Sequence, residues 1–138
     1  MALPGGRRDL QDDDLLSTAL RETSEEVGIS LPRETLLGAF ADVVPRTPTL
    51  PPIAVRPFLL AVPIRPTLVL NPEVAAATWV SLEELLRPEA HQRVYVDIQG
   101  QSQEVWGYVL EAGVVWGMTE RILSTLVEHM RQVCPEES

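Results

Sequence analysis

Cysteine is nearly absent from this chain of 138 residues, with Cys134 the only one. A single thiol forms no internal disulfide, so the fold is not a disulfide framework. Cys134 lies near a polar C-terminus, and no neighbouring pattern activates it as a nucleophile. Long apolar runs are missing too. No stretch reaches the length of a membrane-spanning helix, although 45% of residues are hydrophobic, an ordinary share for a globular protein. The opening Met-Ala-Leu-Pro-Gly-Gly-Arg-Arg has no apolar centre of the signal-peptide kind, and Arg7 and Arg8 are too few for a basic targeting patch. Cytoplasm is therefore the expected location. Positive charge is scarce: 11 basic residues face 20 acidic ones, for a net charge of -9. Nucleic acid and anionic membranes select basic surface, so neither is expected as a partner. A phosphorylated small molecule remains compatible, because a bound cation reverses the local sign. Repeats and low-complexity tracts are also lacking, and the length suits one domain, residues 1–138, around one core.

What is present is concentrated in residues 21–29, Arg-Glu-Thr-Ser-Glu-Glu-Val-Gly-Ile, with Gly5 and Gly6 upstream. The periodicity predicts an amphipathic helix over residues 12–27. Asp12 or Asp13 would be its N-cap, and Leu16, Ala19, Leu20, Thr23 and Val27 its apolar stripe. Glu22, Glu25 and Glu26 fall to one side of that stripe, spaced as neighbours on a helix surface. Gly28 is placed to end the helix in the left-handed region. Three like charges held so close repel unless a cation sits among them, and an all-oxygen cluster suits Mg2+, Mn2+ or Ca2+. Beside a Gly-Gly turn, this suggests chemistry on a phosphate. The plainer alternative is a solvated helix face with ordinary i,i+4 ion pairs.

Further along, residues 36–44 and 53–64 read as strands, the second interrupted by Pro57, which favours an edge or a bulge. The four prolines of residues 45–52 predict an irregular loop. Residues 67–70 and 76–80 are short strand candidates. Ser81 caps a short helix over residues 82–86, with Glu84 at the third position of a capping box. Residues 93–98 and 104–110 form a hairpin across Gln99-Gly100-Gln101. A second helix is expected over residues 119–132, burying Ile122, Leu123, Leu126, Val127 and Met130. This interleaving predicts an α+β architecture, α/β in the wider sense: a mixed sheet sandwiched between helices.

The Arg21–Ile29 stretch resembles the Nudix box: a Gly, a spaced acid, then Arg-Glu-x-x-Glu-Glu-x-Gly-apolar. Arg21, Glu22, Glu25, Glu26, Gly28 and Ile29 fill its second half without a mismatch. The first half departs from the pattern. Fourteen residues separate Gly6 from Arg21 where the box usually has about thirteen, and the acid eight residues before Arg21 is Asp13, flanked by Asp12 and Asp14. Leu-Pro-Gly-Gly-Arg-Arg-Asp with this one-residue extension is similar to the coenzyme A diphosphatase branch. Val55-Arg56-Pro57-Phe58, Asn71-Pro72-Glu73-Val74, Trp79-Val80-Ser81-Leu82 and the segment from Val115 to Leu123 resemble that branch in the same order. The resemblance implies the Nudix α/β/α sandwich. It also implies strands ahead of the box, so the expectation is that N-terminal strands are missing and that Met1 is not the natural start. An in-frame stop just upstream would overturn that expectation.

The resemblance further implies a site. Glu22, Glu25 and Glu26 would bind Mg2+ or Mn2+, with Glu25, Glu26 and Arg21 acting in catalysis. Arg21 would hold the carboxylates by a bidentate pair, and Gly5 and Gly6 would permit a tight turn against the site. The implied substrate is coenzyme A or a derivative, cleaved to 3',5'-ADP and 4'-phosphopantetheine. ADP-ribose or a dinucleotide is the alternative within the superfamily, and a non-catalytic Nudix-like binding domain the alternative outside enzymology. Glu73, Glu84 and Glu104 are candidates for the general base; their plainer roles are turn, cap and strand-edge charge. Asp12 and Asp13 read as caps, His91 and His129 as ordinary surface or core residues, and Trp79, Trp106 and Trp116 as core. Trp106 has the further option of stacking on an adenine. An exposed sheet edge would favour strand exchange and a homodimer.

Overall fold

Gly28 stops the first helix at the predicted place. The computed structural model describes residues 1–46 and 52–133. Cys134 and part of the proline loop expected over residues 45–52 lie outside them. Two compact units emerge, Leu3–Thr78 and Met1–Ala2 with Trp79–Ser138, and each is described in turn.

In the first unit, α1 spans Leu15–Val27. Its N-cap is Asp14, whose carboxylate accepts the Ser17 N–H at 2.8 Å. This corrects the expectation at Asp12 or Asp13. The helix starts later because the Asp12 carboxylate is taken by Arg21, leaving the third aspartate to cap. An Asp cap of this kind is worth about 1 kcal/mol. Leu16, Thr18 and Val27 are buried, as is Ile29 just past the helix end. Gly28 has φ 74°, and its N–H donates to Ser24 O at 3.0 Å. A side chain there would also collide with Val69, with a Cβ only 2.7 Å from Val69 Cβ. The backbone of residues 69–71 runs against this helix end. Val69 N–H donates to Val27 O at 2.8 Å and Asn71 N–H to Glu26 O at 3.0 Å. Carbonyls that a helix C-terminus leaves without partners are thereby satisfied.

The strands of this unit are shorter than predicted. β1, Leu36–Ala39, pairs antiparallel with β2, Phe58–Leu60, and the register shifts between Leu36 and Gly38. Beyond them, Phe40 N–H reaches Pro57 O and an isolated bridge joins Val43 to Val55. Pro57 has no N–H to give to a ladder, which limits the long strand expected over residues 53–64. Residues 67–70 form no strand; the Val69 N–H is spent on the end of α1.

The second unit opens with α2, Leu82–Leu86, capped as predicted by Ser81, whose Oγ accepts the Glu84 N–H at 3.1 Å. The Glu84 carboxylate accepts the Glu111 N–H. Residues 76–80 carry no strand. The predicted hairpin is longer than its sequence pattern: β3, His91–Ile98, pairs with β4, Gln101–Leu110, from His91 opposite Tyr108 to Ile98 opposite Gln101. Gln99 and Gly100 turn the corner at φ 52° and 81°, the positive-φ pair of a two-residue hairpin loop. β5, Gly113–Trp116, was not anticipated and adds to β4 antiparallel. α3, Met118–Val133, packs on β4 and β5. Its Val127 joins Leu85, Ala90, Tyr108, Leu110 and Val115 in a buried cluster, with Leu123 and Leu126 against it.

The α+β class holds, but the strands do not form a mixed sheet. Among the described residues the strands form two antiparallel sheets, β1-β2 and β3-β4-β5. Nor are the tryptophans core: Trp79, Trp106 and Trp116 are 44%, 47% and 40% exposed. Trp106 lies half-covered on a sheet face, stacked on His91 at 4.9 Å with the Arg93 guanidinium 5.2 Å from its ring. Trp116 stands opposite Gly107, which offers no side chain to cover it. Indole rings are seldom wholly enclosed. No helix among the described residues is long and apolar enough to cross a membrane.

Candidate functional site

One guanidinium organises the acidic face of α1. Arg21 Nε and Nη2 each lie 2.9 Å from an oxygen of Asp12, a fork-on-fork pair. Its Nη1 faces the other way, donating to Glu22 Oε1 at 3.1 Å and to Glu25 Oε2 at 3.2 Å. Arg21 thus holds the carboxylates, as expected, but its bidentate partner is Asp12. That residue is buried, with only 6% of its surface exposed. Its carboxylate also accepts from Thr18 Oγ1 at 2.9 Å and from the Asp9 N–H at 2.8 Å. The Arg21 hydrogen bonds, then the Asp9 N–H, hold Asp12 well below the usual carboxylate range despite its burial. Arg21 is pushed up in return, chiefly by Asp12. A buried charge so fully paired is a fixed point, and through Arg21 it sets where Glu22 and Glu25 stand.

Glu26 completes the face. Its Oε1 accepts the Gly5 N–H at 3.3 Å. The Glu26 carboxyl is raised above its ordinary value, first by burial and then by Glu22 and Glu25 beside it, against the opposing Gly5 bond. Gly6 is pressed onto the neighbouring acid. A Cβ added there would sit 2.5 Å from the Glu22 carboxyl carbon. Gly6 acts by close approach: only bare backbone there lets the loop lie against Glu22, whereas Gly5 has open space where a side chain would stand and contributes its N–H to Glu26.

The donor set fits a hard divalent cation. Three carboxylates, Asp12, Glu22 and Glu25, share one guanidinium, and the burden on Glu26 beside them is one that a cation would lift. Among the described residues, however, no three His, Cys, Asp or Glu side chains converge as a ready-made cage. Glu25 is drawn off toward Arg21, so it would have to turn to join Glu22 and Glu26.

A family model for the NUDIX domain matches residues 1–97. The chain belongs to the NUDIX domain family. It is 32% identical over 132 residues to the Nudix hydrolase NudL of Photorhabdus laumondii, covering 95% of this chain and 68% of that protein. It is 30% identical over 131 residues to NudL of Yersinia enterocolitica, covering 94% and 65%. An uncharacterized protein of Schizosaccharomyces pombe is 39% identical over 102 residues, 70% of this chain and 31% of its own length. The chain thus spans about two thirds of the length of the bacterial relatives and about a third of the yeast one.

Within the Nudix box the structure assigns the spaced acid differently from the count made back from Arg21. Asp13 makes no side-chain bond among the described residues; its carbonyl accepts from Arg8 Nη2 at 2.9 Å. Asp12 takes the structural role. The signal was available: counting forward from Gly6 by the ordinary box interval lands on Asp12. The extra residue is therefore absorbed between acid and arginine, where Asp14 caps the helix. Of the base candidates, Glu73 lies in the same unit, its N–H bonded to Asn71 Oδ1 at 2.9 Å in a turn. Glu84 and Glu104 belong to the other unit, and Glu104 is paired with Arg93 at 2.8 Å.

Proposed function

We propose that this chain is a metal-dependent Nudix hydrolase that cleaves the diphosphate of coenzyme A or its derivatives to 3',5'-ADP and 4'-phosphopantetheine. The hydrolase reading is carried by one observation: Arg21, anchored on buried Asp12, gathers Glu22 and Glu25 beside a Glu26 whose carboxyl is raised by that company. The coenzyme A part is supported by the one-residue extension of the box and by the ordered segments from Val55 to Leu123. A single domain over residues 1–138 and a cytoplasmic location belong to the same reading.

Glu22 and Glu26, with Glu25 as a further ligand, would hold Mg2+ or Mn2+. Such an ion supplies charge neutralisation on the diphosphate and an acidified water. The chain's own groups do the positioning. Asp12 fixes Arg21, and Arg21 fixes Glu22 and Glu25. The Gly5 N–H orients Glu26, and Gly6 brings the loop close enough to shape the floor on which a diphosphate would rest. Ionisation of Glu26 is required for it to act as a ligand, so the site favours pH above its raised pKa.

Hydrolysis of coenzyme A with Mg2+ or Mn2+, measured beside ADP-ribose and a dinucleotide, tests the proposal. Glu26→Gln should lower kcat by about a hundredfold or more. Equal, metal-independent rates in both proteins would end the catalytic reading, and activity confined to another substrate would move it within the family.

A further inference from the structure

Next to the acidic face, in the same unit, lies an open cavity of about 670 Å³ whose wall includes Arg7, Arg8, Leu10, Asp12, Arg21 and Glu22. Three guanidiniums line it, and two are already committed. Arg21 is spent on Asp12, Glu22 and Glu25. Arg8 is turned back on its own loop, with Nε donating to Asp12 O at 3.2 Å and Nη2 to Asp13 O at 2.9 Å. Arg7 differs. Its carbonyl accepts from Arg21 Nη2 at 3.4 Å, which fixes its backbone on the same scaffold. Its guanidinium has no hydrogen bond or ion pair among the described residues, so all five of its donors are unused. Gly6, immediately before it, is the residue pressed against Glu22.

We propose that Arg7 is the anion receptor of this cavity and binds a phosphate group of the substrate outside the carboxylate cluster. The inference rests on the reading of the chain as a Nudix hydrolase. A guanidinium fork matches two phosphate oxygens at once. An acidic protein also needs local positive charge to admit an acidic substrate, and Arg7 is the cation on this wall that no carboxylate or carbonyl engages. The phosphate could belong to the diphosphate itself or to a separate monoester, such as the 3'-phosphate of coenzyme A. The chemistry of contact is the same, and the substrates separate the two.

Binding of inorganic pyrophosphate in the presence of EDTA, followed calorimetrically, isolates this contact from the metal. Wild type and Glu26→Gln should both bind, while Arg7→Gln should bind about tenfold more weakly and Arg7→Lys should recover part of the loss. In steady-state hydrolysis with metal, Arg7→Gln should raise KM far more than it lowers kcat. A rise on coenzyme A and dephospho-coenzyme A alike assigns the diphosphate; a rise on coenzyme A alone assigns the monoester. Unchanged pyrophosphate affinity and unchanged KM in a folded Arg7→Gln protein would overturn the proposal, as would failure of the wild type to bind pyrophosphate without metal. The hydrolase reading stands or falls separately, on whether Glu26→Gln abolishes turnover.

Discussion

Asp12 and Glu26 carry opposite perturbations, and the contrast defines what each does. Asp12 is held ionised by Arg21, so its pairing stabilises the fold above its unfolded pKa and is lost only as pH falls through the depressed folded value. Asp12→Asn should release Arg21 and lower kcat by about tenfold to a hundredfold through misplaced carboxylates, while Asp13→Asn should leave kcat within about twofold. Equal effects of the two substitutions would mean the acid was misassigned. Glu26 runs the other way. Its folded pKa is raised, so burial costs stability once pH rises through the unfolded value and the group ionises. Glu26→Gln should therefore raise the melting temperature of metal-free protein at pH 7, with the gain vanishing in acid. Added Mg2+ should raise the wild-type melting temperature and leave that of Glu26→Gln nearly unmoved. Thermal scans at two pH values, with and without Mg2+, check both statements.

At the scale of elements, the end of α1 is the most demanding junction. Gly28 combines φ 74° with contact against Val69. Gly28→Ala should destabilise by about 1–3 kcal/mol, from the backbone region and from displacement of residues 69–71; urea titration measures it. This terminus was legible in the sequence because a glycine after a periodic run has one common use. The Ser81 cap and the Gln99-Gly100 turn were legible for the same reason. The strands were harder. Residues 53–64 are apolar apart from Arg56, and composition alone does not reveal that Pro57 leaves only Phe58–Leu60 in a ladder. β5 is four residues long, too short for periodicity to register. The tryptophans show a further gap: hydrophobicity marks a preference for cover, and Trp106 finds it only in part, from His91 and Arg93. Among the proposed site residues, Glu22, Glu25 and Glu26 were grouped by helical spacing, and Arg21 by the resemblance to the Nudix box. Asp12 was ambiguous, because the extra residue makes a count forward from Gly6 and a count back from Arg21 land on different aspartates, and burial decides which one pairs.

For the molecule as a whole, charge is the governing quantity. A net charge of -9 opposes an anionic substrate, so activity in the proposed reading depends on the cation and on the few guanidiniums near it. Chelation with EDTA should abolish turnover and excess Mg2+ or Mn2+ restore it; activity that survives chelation would contradict the metal requirement. The chain has no lysine, and its 11 basic side chains are all arginine. An arginine-directed dicarbonyl should inactivate it with protection by pyrophosphate, whereas an amine-directed ester should leave turnover largely intact.

The two hydrogen bonds from Val69 and Asn71 to the last carbonyls of α1 have a mechanical consequence. They splice a segment far along the chain onto the helix that carries the acids, with Glu73 two residues beyond the splice. A change at Glu26, from an ion or from protonation, should therefore be felt at the Asn71 amide, which bonds the Glu26 carbonyl. The prediction is a protection change: deuterium uptake at that amide should slow when the acidic face is occupied and quicken when it is emptied.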